Sequence, residues 1–175
     1  MFLNKIKLFL VISTCLIFLS LTNIDVESQE IKLISGVAKV IDGDTIRIEK
    51  KKIRLFGIDA PEKKQKCRKP WLTISFLTFN KDYPCGEIST LKLKKKINDK
   101  FVTCKSTNFD RYKRFIAECF KNKTNINKWM VRNGYAVAYK KYSKKYLASE
   151  DLAKKDKLGL WIGSFQMPWE WRKEN

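Results

Sequence analysis

The chain has 175 residues, with 37 Lys and Arg against 18 Asp and Glu, five Cys and no His. That length fits one domain, and 44% hydrophobic residues are enough for a packed core. The absence of His excludes Ser-His-Asp and Cys-His hydrolases and His-ligated zinc, so acid–base chemistry must come from carboxylates, Lys, Tyr or Cys. The net charge of +19 favours a polyanionic partner, such as nucleic acid, anionic lipid or acidic glycan. A Lys excess that only keeps the chain soluble is the alternative.

The N-terminus has the pattern of a targeting segment. Lys5 and Lys7 precede an apolar run over residues 8–21, which is shorter than the roughly 20 residues that a membrane span needs. We therefore predict a signal peptide over residues 1–28 and a single mature domain over residues 29–175. The signal peptide predicts a secreted or periplasmic bacterial protein. The alternative is a protein anchored by an uncleaved N-terminal segment.

The elements, taken in chain order, predict a small barrel. Strands are expected over residues 34–41, 45–49, 53–58, 101–107, 113–120 and 135–139. Helices are expected over residues 87–98, around Ile126 to Met130, and over 146–158. A loop over residues 63–84 lies between the third strand and the first helix. Strands with helices interposed, without a regular βαβ rhythm, predict an α+β fold with a Greek-key barrel of the oligonucleotide-binding type.

The cysteines predict two disulfides. Without Cys15 in the apolar run, four cysteines remain, and an even number in an exported chain is typical of disulfide bonding. Cys104 and Cys119 lie at equal distances from the turn of their predicted hairpin, so they face each other across the two strands. That pairing leaves Cys67 with Cys85 across the long loop.

Carboxylates and guanidinium groups cluster at the ends of the first strands. Three carboxylates lie where neighbouring strands end: Asp42, Asp44 and Asp59. Oxygen-only ligands suit Ca²⁺ or Mg²⁺. Arg54 and Arg114 have the fork geometry that binds phosphate, and Glu62 is a candidate base that Pro61 holds beside Asp59. Each feature alone is common in plain turns and loops, but together in a strongly basic chain they favour phosphodiester hydrolysis.

The sequence resembles the staphylococcal-nuclease-like (thermonuclease) family. The resemblance rests on Val40-Ile41-Asp42-Gly43-Asp44-Thr45, Arg54-Leu55, Ile58-Asp59-Ala60-Pro61-Glu62 and Asp110-Arg111-Tyr112-Lys113-Arg114, and it runs from about Gly36 to Trp161. The four cysteines and the Pro-Trp-Glu-Trp ending resemble exported bacterial members. Lys113 and Phe115 depart from the family pattern, because glycines are common at both positions.

The resemblance implies a five-stranded barrel with about three helices and a Ca²⁺-dependent endonuclease that hydrolyses DNA and RNA with little sequence specificity. It implies these roles: calcium carboxylates Asp44 and Asp59, a main-chain carbonyl from Ala60, a water-mediated contact from Asp42, phosphate contacts from Arg54 and Arg114, a general base at Glu62, and nucleotide-lining aromatics Tyr112 and Tyr139. It further implies single-stranded or frayed substrates, a monomer without a dedicated protein partner, and membrane contact only through an uncleaved N-terminal segment.

Two other functions compete with this hypothesis. A non-catalytic nucleic-acid-binding module of the same fold is the first alternative, and a cationic envelope-binding protein is the second. The apolar loop over residues 63–84 also has several interpretations. It fits a lid packed on the barrel, a partner or membrane contact, or a surface on which single-stranded bases stack.

Overall fold

The computed structural model of the chain describes residues 31–175, so the predicted signal peptide lies outside the described residues. The strands are β1 (Lys32–Val40), β2 (Thr45–Ile48), β3 (Lys51–Leu55), β4 (Ile58–Asp59), β5 (Cys67–Ile74), β6 (Leu77–Tyr83), β7 (Phe101–Phe109), β8 (Phe115–Lys121), β9 (Thr124–Asn125) and β10 (Val137–Ala138). The helices are α1 (Cys85–Ile97), α2 (Ile126–Arg132), α3 (Leu147–Lys155) and α4 (Pro168–Glu174), with a 3-10 turn at Gly159–Ile162. In this part of the chain, no helix is long and apolar enough to cross a membrane.

Five strands close into a barrel, which confirms the predicted fold. The main sheet has the order β3-β2-β1-β7-β8-β9. A parallel pairing of β3 with β8 closes the barrel from the first five of these strands, and the short β9 pairs with β8. Alternation along β2 buries Ile46 and Ile48 inside the barrel and exposes Arg47. Closure leaves the five barrel strands without a free edge and fixes which strand ends meet at the rim.

A short second sheet places Asp59 at that rim. The predicted strand over residues 53–58 is interrupted, because Gly57 takes a positive φ of 71° and turns the chain between β3 and β4. In the pairing of β4 with β10, Val137 lies opposite Asp59. The buried Glu150 of α3 accepts a hydrogen bond from the N–H of Ala138 at 3.0 Å. Helix α3 therefore supports the strand that supports Asp59.

The prediction of a loop over residues 63–84 is wrong, because β5 and β6 form an antiparallel hairpin there. Its apolar tip residues are exposed, so the expectation of a lid packed on the barrel is also wrong at the tip. The pairs Leu72–Phe79 and Ile74–Leu77 put apolar side chains on one face of the hairpin. A bulge between Pro70 and Leu72 interrupts the alternation, and Pro70 is atypical of a strand, so the pattern did not indicate strands. The base of the hairpin is attached to the body through backbone hydrogen bonds between Arg68 and Ser164, at 2.9 and 3.0 Å.

Both expected disulfides form. Cys104 on β7 lies directly opposite Cys119 on β8, and their Cα atoms are 4.0 Å apart. Cys67 at the start of β5 pairs with Cys85 at the start of α1. Two disulfides are typical of a protein in an oxidising compartment, outside the bacterial cytoplasm.

Four helices are present in the described residues, where the sequence predicted about three. The additional helix is α4, which begins at Pro168, a residue suited to a first helical turn. The segment before it packs on a small apolar cluster that includes the Cys67–Cys85 disulfide, Val137 and Leu160. The C-terminus is thereby held next to β10 and the rim of the barrel.

Candidate active site

The site is built around two buried carboxylates that share one guanidinium group. Arg54 on β3 donates from Nη1 to Oδ1 of Asp44 at 2.8 Å and from Nη2 to Oδ1 of Asp59 at 2.7 Å. The Asp59 side chain is fully buried, and Asp44 is nearly so. The second oxygen of Asp44 accepts from the N–H of Ala60 at 3.1 Å. Because the guanidinium group of Arg54 hydrogen-bonds both carboxylates, Asp44 and Asp59 face a common space.

Burial and mutual repulsion make this cluster electrostatically costly. Burial raises the pKa of Asp59, and the negative charge of Asp44 raises it further, against the opposing effect of Arg172 and Arg54. Burial and Asp44 likewise raise the pKa of Asp42 to about 6. Burial alone would lower the pKa of Arg54, but the charges of Asp44 and Asp59 outweigh it and the pKa is raised. The site therefore favours added positive charge.

Arg114 reaches the same cluster from the turn between β7 and β8. Its Nε donates to Oδ2 of Asp110 at 2.6 Å, and its Nη1 donates to Oγ1 of Thr45 at 3.3 Å. Thr45 in turn donates to Oδ1 of Asp44 at 3.0 Å. Asp110 also accepts from the N–H of Tyr112, whose largely exposed ring lies 5.4 Å from the Arg114 guanidinium. A short chain of hydrogen bonds thus fixes Arg114 relative to the carboxylates.

Glu62 is held by the C-terminal part of the chain. Arg172 on α4 donates from Nη1 to Oε1 of Glu62 at 2.7 Å and from Nη2 to Oδ2 of Asp59 at 2.8 Å. Gln65 is fully buried; its Oε1 accepts from the N–H of Glu62 at 3.2 Å, and its Nε2 donates to the carbonyl of Gln166 at 2.7 Å. Both the side chain and the backbone of Glu62 are therefore connected to the C-terminal segment.

Tyr139 follows β10 and lies close enough to Asp59 to be affected by its charge. Trp169 of α4 stacks parallel on its ring, with centroids 5.4 Å apart and 4° between the planes. Tyr142 packs edge-on against the other side, with centroids 4.8 Å apart. Burial and the charge of Asp59 raise the pKa of Tyr139, which places its ring within the field of the carboxylate cluster.

The donor set fits a hard divalent cation. Five carboxylates and three guanidinium groups meet in this cluster, which leaves an excess of two negative charges when all are ionised: Asp42, Asp44, Asp59, Glu62 and Asp110 against Arg54, Arg114 and Arg172. Among residues 31–175, no group of three or more Asp, Glu, Cys or His side chains has the spacing of a complete metal shell. Two carboxylates would therefore need main-chain and water oxygens to complete the coordination. Ca²⁺ accepts such ligands readily.

The structure brings most of the expected site residues to one rim of the barrel. Asp42 joins the cluster through its Oδ1, which accepts from the N–H of Asp44 at 3.0 Å. Tyr112 lies at the edge, outside the hydrogen-bonded core of the site. Sequence reasoning missed Arg172, Trp169 and Gln65. The only signal was the concentration of Trp and Arg after Pro168, which is equally typical of a tail that packs on the body.

Comparison with known proteins places the chain in a family. A sequence model described as staphylococcal nuclease homologue matches residues 52–163. An endonuclease of Escherichia coli O157:H7 is 34% identical over 144 residues, which are 78% of this chain and 82% of that protein. An endonuclease of Haemophilus influenzae is 34% identical over 146 residues, or 79% and 72% of the two chains.

A third relative is named for a different role. The succinoglycan biosynthesis protein ExoI of Rhizobium meliloti is 34% identical over 131 residues, which are 73% of this chain and 64% of that protein. The chain thus spans just under two thirds of the rhizobial protein and a larger share of both endonucleases.

The barrel, the cluster at its rim and these similarities define the chain as a nuclease, a hydrolase of phosphodiester bonds. It belongs to the family of staphylococcal nuclease homologues.

Proposed function

We propose that this chain is an exported, Ca²⁺-dependent endonuclease that cleaves DNA and RNA with little sequence specificity. The observation that carries the proposal is the bridging of Asp44 and Asp59 by Arg54, at 2.8 and 2.7 Å, in a cluster with excess negative charge. The two disulfides support export, and the net charge of +19 supports a polyanionic substrate.

The carboxylates of Asp44 and Asp59, with the carbonyl of Ala60 and a water held by Asp42, would hold the cation. A bound Ca²⁺ supplies positive charge that neutralises and orients the scissile phosphate. The rest of the chemistry comes from the chain itself. Arg54 and Arg114 donate to the phosphoryl oxygens, whose negative charge increases in the transition state.

Glu62 orients a water molecule and accepts its proton as the oxygen attacks phosphorus. The bond between phosphorus and the leaving oxygen breaks, and that oxygen takes up a proton from solvent. Tyr139 lines the nucleotide side of the site. Because these contacts address phosphate and not base edges, they predict little sequence preference and similar action on DNA and RNA.

The test is cleavage of a labelled single-stranded DNA by the oxidised chain in Ca²⁺ and in excess chelator. Glu62→Gln and Arg54→Ala are compared with two exposed controls, Glu49→Gln and Arg47→Ala. Ca²⁺-dependent cleavage, lost by at least about a hundredfold in the first two variants and retained in the controls, supports the proposal.

Binding without cleavage under any divalent ion would make the chain a binding module of the same fold. The same assay with RNA and with duplex DNA tests the substrate range. Cell fractionation and N-terminal sequencing of the natural protein test export and the predicted cleavage after Ser28.

A further inference from the structure

We propose that Arg172 is a positioning residue of the nuclease reaction and that helix α4 is part of the active site. The role rests on the proposed function, because it concerns how Glu62 is held for proton transfer. The guanidinium fork of Arg172 bonds Glu62 at 2.7 Å and Asp59 at 2.8 Å. It therefore ties the candidate base to a candidate cation ligand.

The oxygens that Arg172 uses distinguish it from Arg54. Arg54 bonds the Oδ1 atoms of Asp44 and Asp59, which lie on the space that the two carboxylates share. Arg172 bonds Oδ2 of Asp59, the other oxygen. Arg172 therefore takes neither of the carboxylate oxygens that Arg54 bridges, and its other arm is bonded to Glu62. This geometry favours positioning of Glu62 over blockage of the site.

Helix α4 is fixed well enough for this role. Trp169, one turn before Arg172, stacks on Tyr139 with 4° between the ring planes. The buried Gln65 links the backbone of Glu62 to Gln166 just before the helix. The Arg172 side chain is only 34% exposed, and both arms of its guanidinium group are hydrogen-bonded to carboxylates. The position of the guanidinium group is thus fixed.

The test compares Arg172→Gln and Arg172→Lys with the exposed neighbour Lys173→Ala in the full-length oxidised chain. We expect kcat of Arg172→Gln to fall about tenfold or more, but by less than in Glu62→Gln, because a misplaced base still acts. Arg172→Lys should recover part of the rate, since it keeps the charge but not the fork. Lys173→Ala should match the wild type.

Two readouts separate positioning from a general structural role. Ca²⁺ affinity, measured by calorimetry, should be unchanged or tighter in Arg172→Gln, because a positive charge has left the cluster. In the Glu62→Gln background, Arg172→Gln should cause no further loss of kcat, because Arg172 acts through Glu62. Parallel loss of Ca²⁺ affinity and thermal stability, without rescue by Lys, would overturn the proposal.

The remaining outcomes are also decisive. An unchanged or faster Arg172→Gln enzyme overturns the positioning role, and a faster one identifies a blocking contact. A wild-type chain that cleaves nothing refutes the proposed function and this role with it. A wild-type chain that cleaves, with an unaffected Arg172→Gln variant, refutes only the role of Arg172.

The hairpin of β5 and β6 carries a second proposal, independent of the nuclease site. Its tip is an uncharged segment from Pro70 to Asn80 in a chain with 31% charged residues. Six large apolar side chains of this segment are 42–88% exposed: Trp71, Leu72, Ile74, Phe76, Leu77 and Phe79. Phe76, at the turn, is the most exposed. A contiguous apolar surface of this kind marks an interaction site.

Two lysines flank the base of the tip, one on each strand of the hairpin. The register places Lys69 directly opposite Lys81, a pairing of like charges that weakens a ladder unless an anion lies nearby. The Lys81 ammonium is 5.9 Å from the Trp71 ring, and the Lys69 ammonium is 5.2 Å from the Tyr83 ring. An apolar tip bounded by Trp and Lys is complementary to the acyl boundary and phosphates of a lipid bilayer.

We propose that this tip docks on an anionic membrane surface. Leu72, Ile74 and Leu77 have no aromatic face on which a base could stack, and no charge lies between Lys69 and Lys81 to bind a phosphate backbone. Both facts favour lipid over single-stranded nucleic acid.

The test uses vesicles of phosphatidylglycerol and brominated phosphatidylcholine, with neutral vesicles as a comparison. The N-terminal run of residues 8–21 can itself bind lipid, so the readout must be local. The fluorescence of Trp71, obtained by subtracting that of Trp71→Phe, should be quenched by the brominated chains. Phe76→Asp should abolish the quenching, and Lys69→Gln or Lys81→Gln should weaken it about fivefold each.

Leu91→Asp, at an exposed position of α1, is the matched control and should leave the quenching unchanged. Absence of quenching, equal quenching with neutral vesicles, or a Trp71 response to single-stranded DNA alone would overturn the membrane proposal.

Discussion

Replacement of Asp42 by Asn should stabilise the chain at neutral pH in the absence of a divalent cation. Burial and the charge of Asp44 raise the pKa of Asp42 from 3.8 to about 6. Asn keeps the side-chain oxygen that accepts the hydrogen bond from the N–H of Asp44. The substitution therefore removes the charge while it preserves the local turn.

The sign of the effect follows from the raised pKa. Between about pH 4 and pH 6 the folded state binds more protons at Asp42 than the unfolded state does, so the contribution of Asp42 to wild-type stability falls as the pH rises. A rise in the pKa of Asp42 from 3.8 to about 6 corresponds to a contribution of about 3 kcal/mol to the free energy of unfolding. This contribution is present in acid and is lost above pH 6. Asp42→Asn should avoid this loss, gaining about 2–3 kcal/mol at pH 7 and little at pH 4.

Asp110→Asn is the matched control, with the opposite sign. Burial alone would raise the pKa of Asp110, but hydrogen bonds from the backbone and side chain of Arg114 outweigh it and lower the pKa. Ionised Asp110 therefore stabilises the fold above its unfolded pKa, and that stability is lost as the pH falls through the folded pKa. Asp110→Asn should destabilise the chain at pH 7 and converge with the wild type in acid.

Urea unfolding of the oxidised chains between pH 3.5 and 8, followed by Trp fluorescence in chelator, measures both effects. The difference between variant and wild type cancels the contributions of titrating groups that do not interact with the substituted residue. An Asp42→Asn chain that is no more stable than the wild type at pH 7, or whose advantage does not grow between pH 4 and 6, would refute this electrostatic reasoning.

Three further predictions concern the same molecule. Ca²⁺ at a hundredfold excess over its Kd should raise the free energy of unfolding by about 2.7 kcal/mol in the wild type and not in Asp59→Asn, as measured by urea titration. Asn127→Leu should cost about 3 kcal/mol in the same assay, because the N–H of Cys119 and the carbonyl of Phe56 lose the buried side-chain partner that Asn127 provides; a loss under 1 kcal/mol would contradict this. Lys113→Gly should raise the Tm by a few degrees, since Lys113 has a φ of 61°, which costs an L-residue about 1–2 kcal/mol; an unchanged or lower Tm would argue against backbone strain there.

The barrel could be predicted from the sequence because its strands are short, alternating and bounded by turn residues. The disulfide of Cys104 with Cys119 could be predicted for the same reason, since a hairpin converts sequence position into register. Residues 63–84 were assigned to a loop because a bulge between Pro70 and Leu72 interrupts the alternation and the apolar face of the hairpin is exposed. A pattern that separates a buried face from a solvated one cannot identify a strand that buries neither.

The part of the site that could be predicted is the part that lies near in sequence. Asp44, Arg54, Asp59 and Glu62 fall within 19 consecutive residues, on strand ends that the barrel must bring together. Arg172 contacts Glu62 across 110 residues of sequence, and its place depends on how α4 packs against β10 and on the stacking of Trp169. No local pattern encodes that contact. A loop that carries a base needs support from outside the barrel, and here the C-terminal segment provides it through both Gln65 and Arg172. Truncation before Pro168 should therefore lower kcat even if the barrel stays folded.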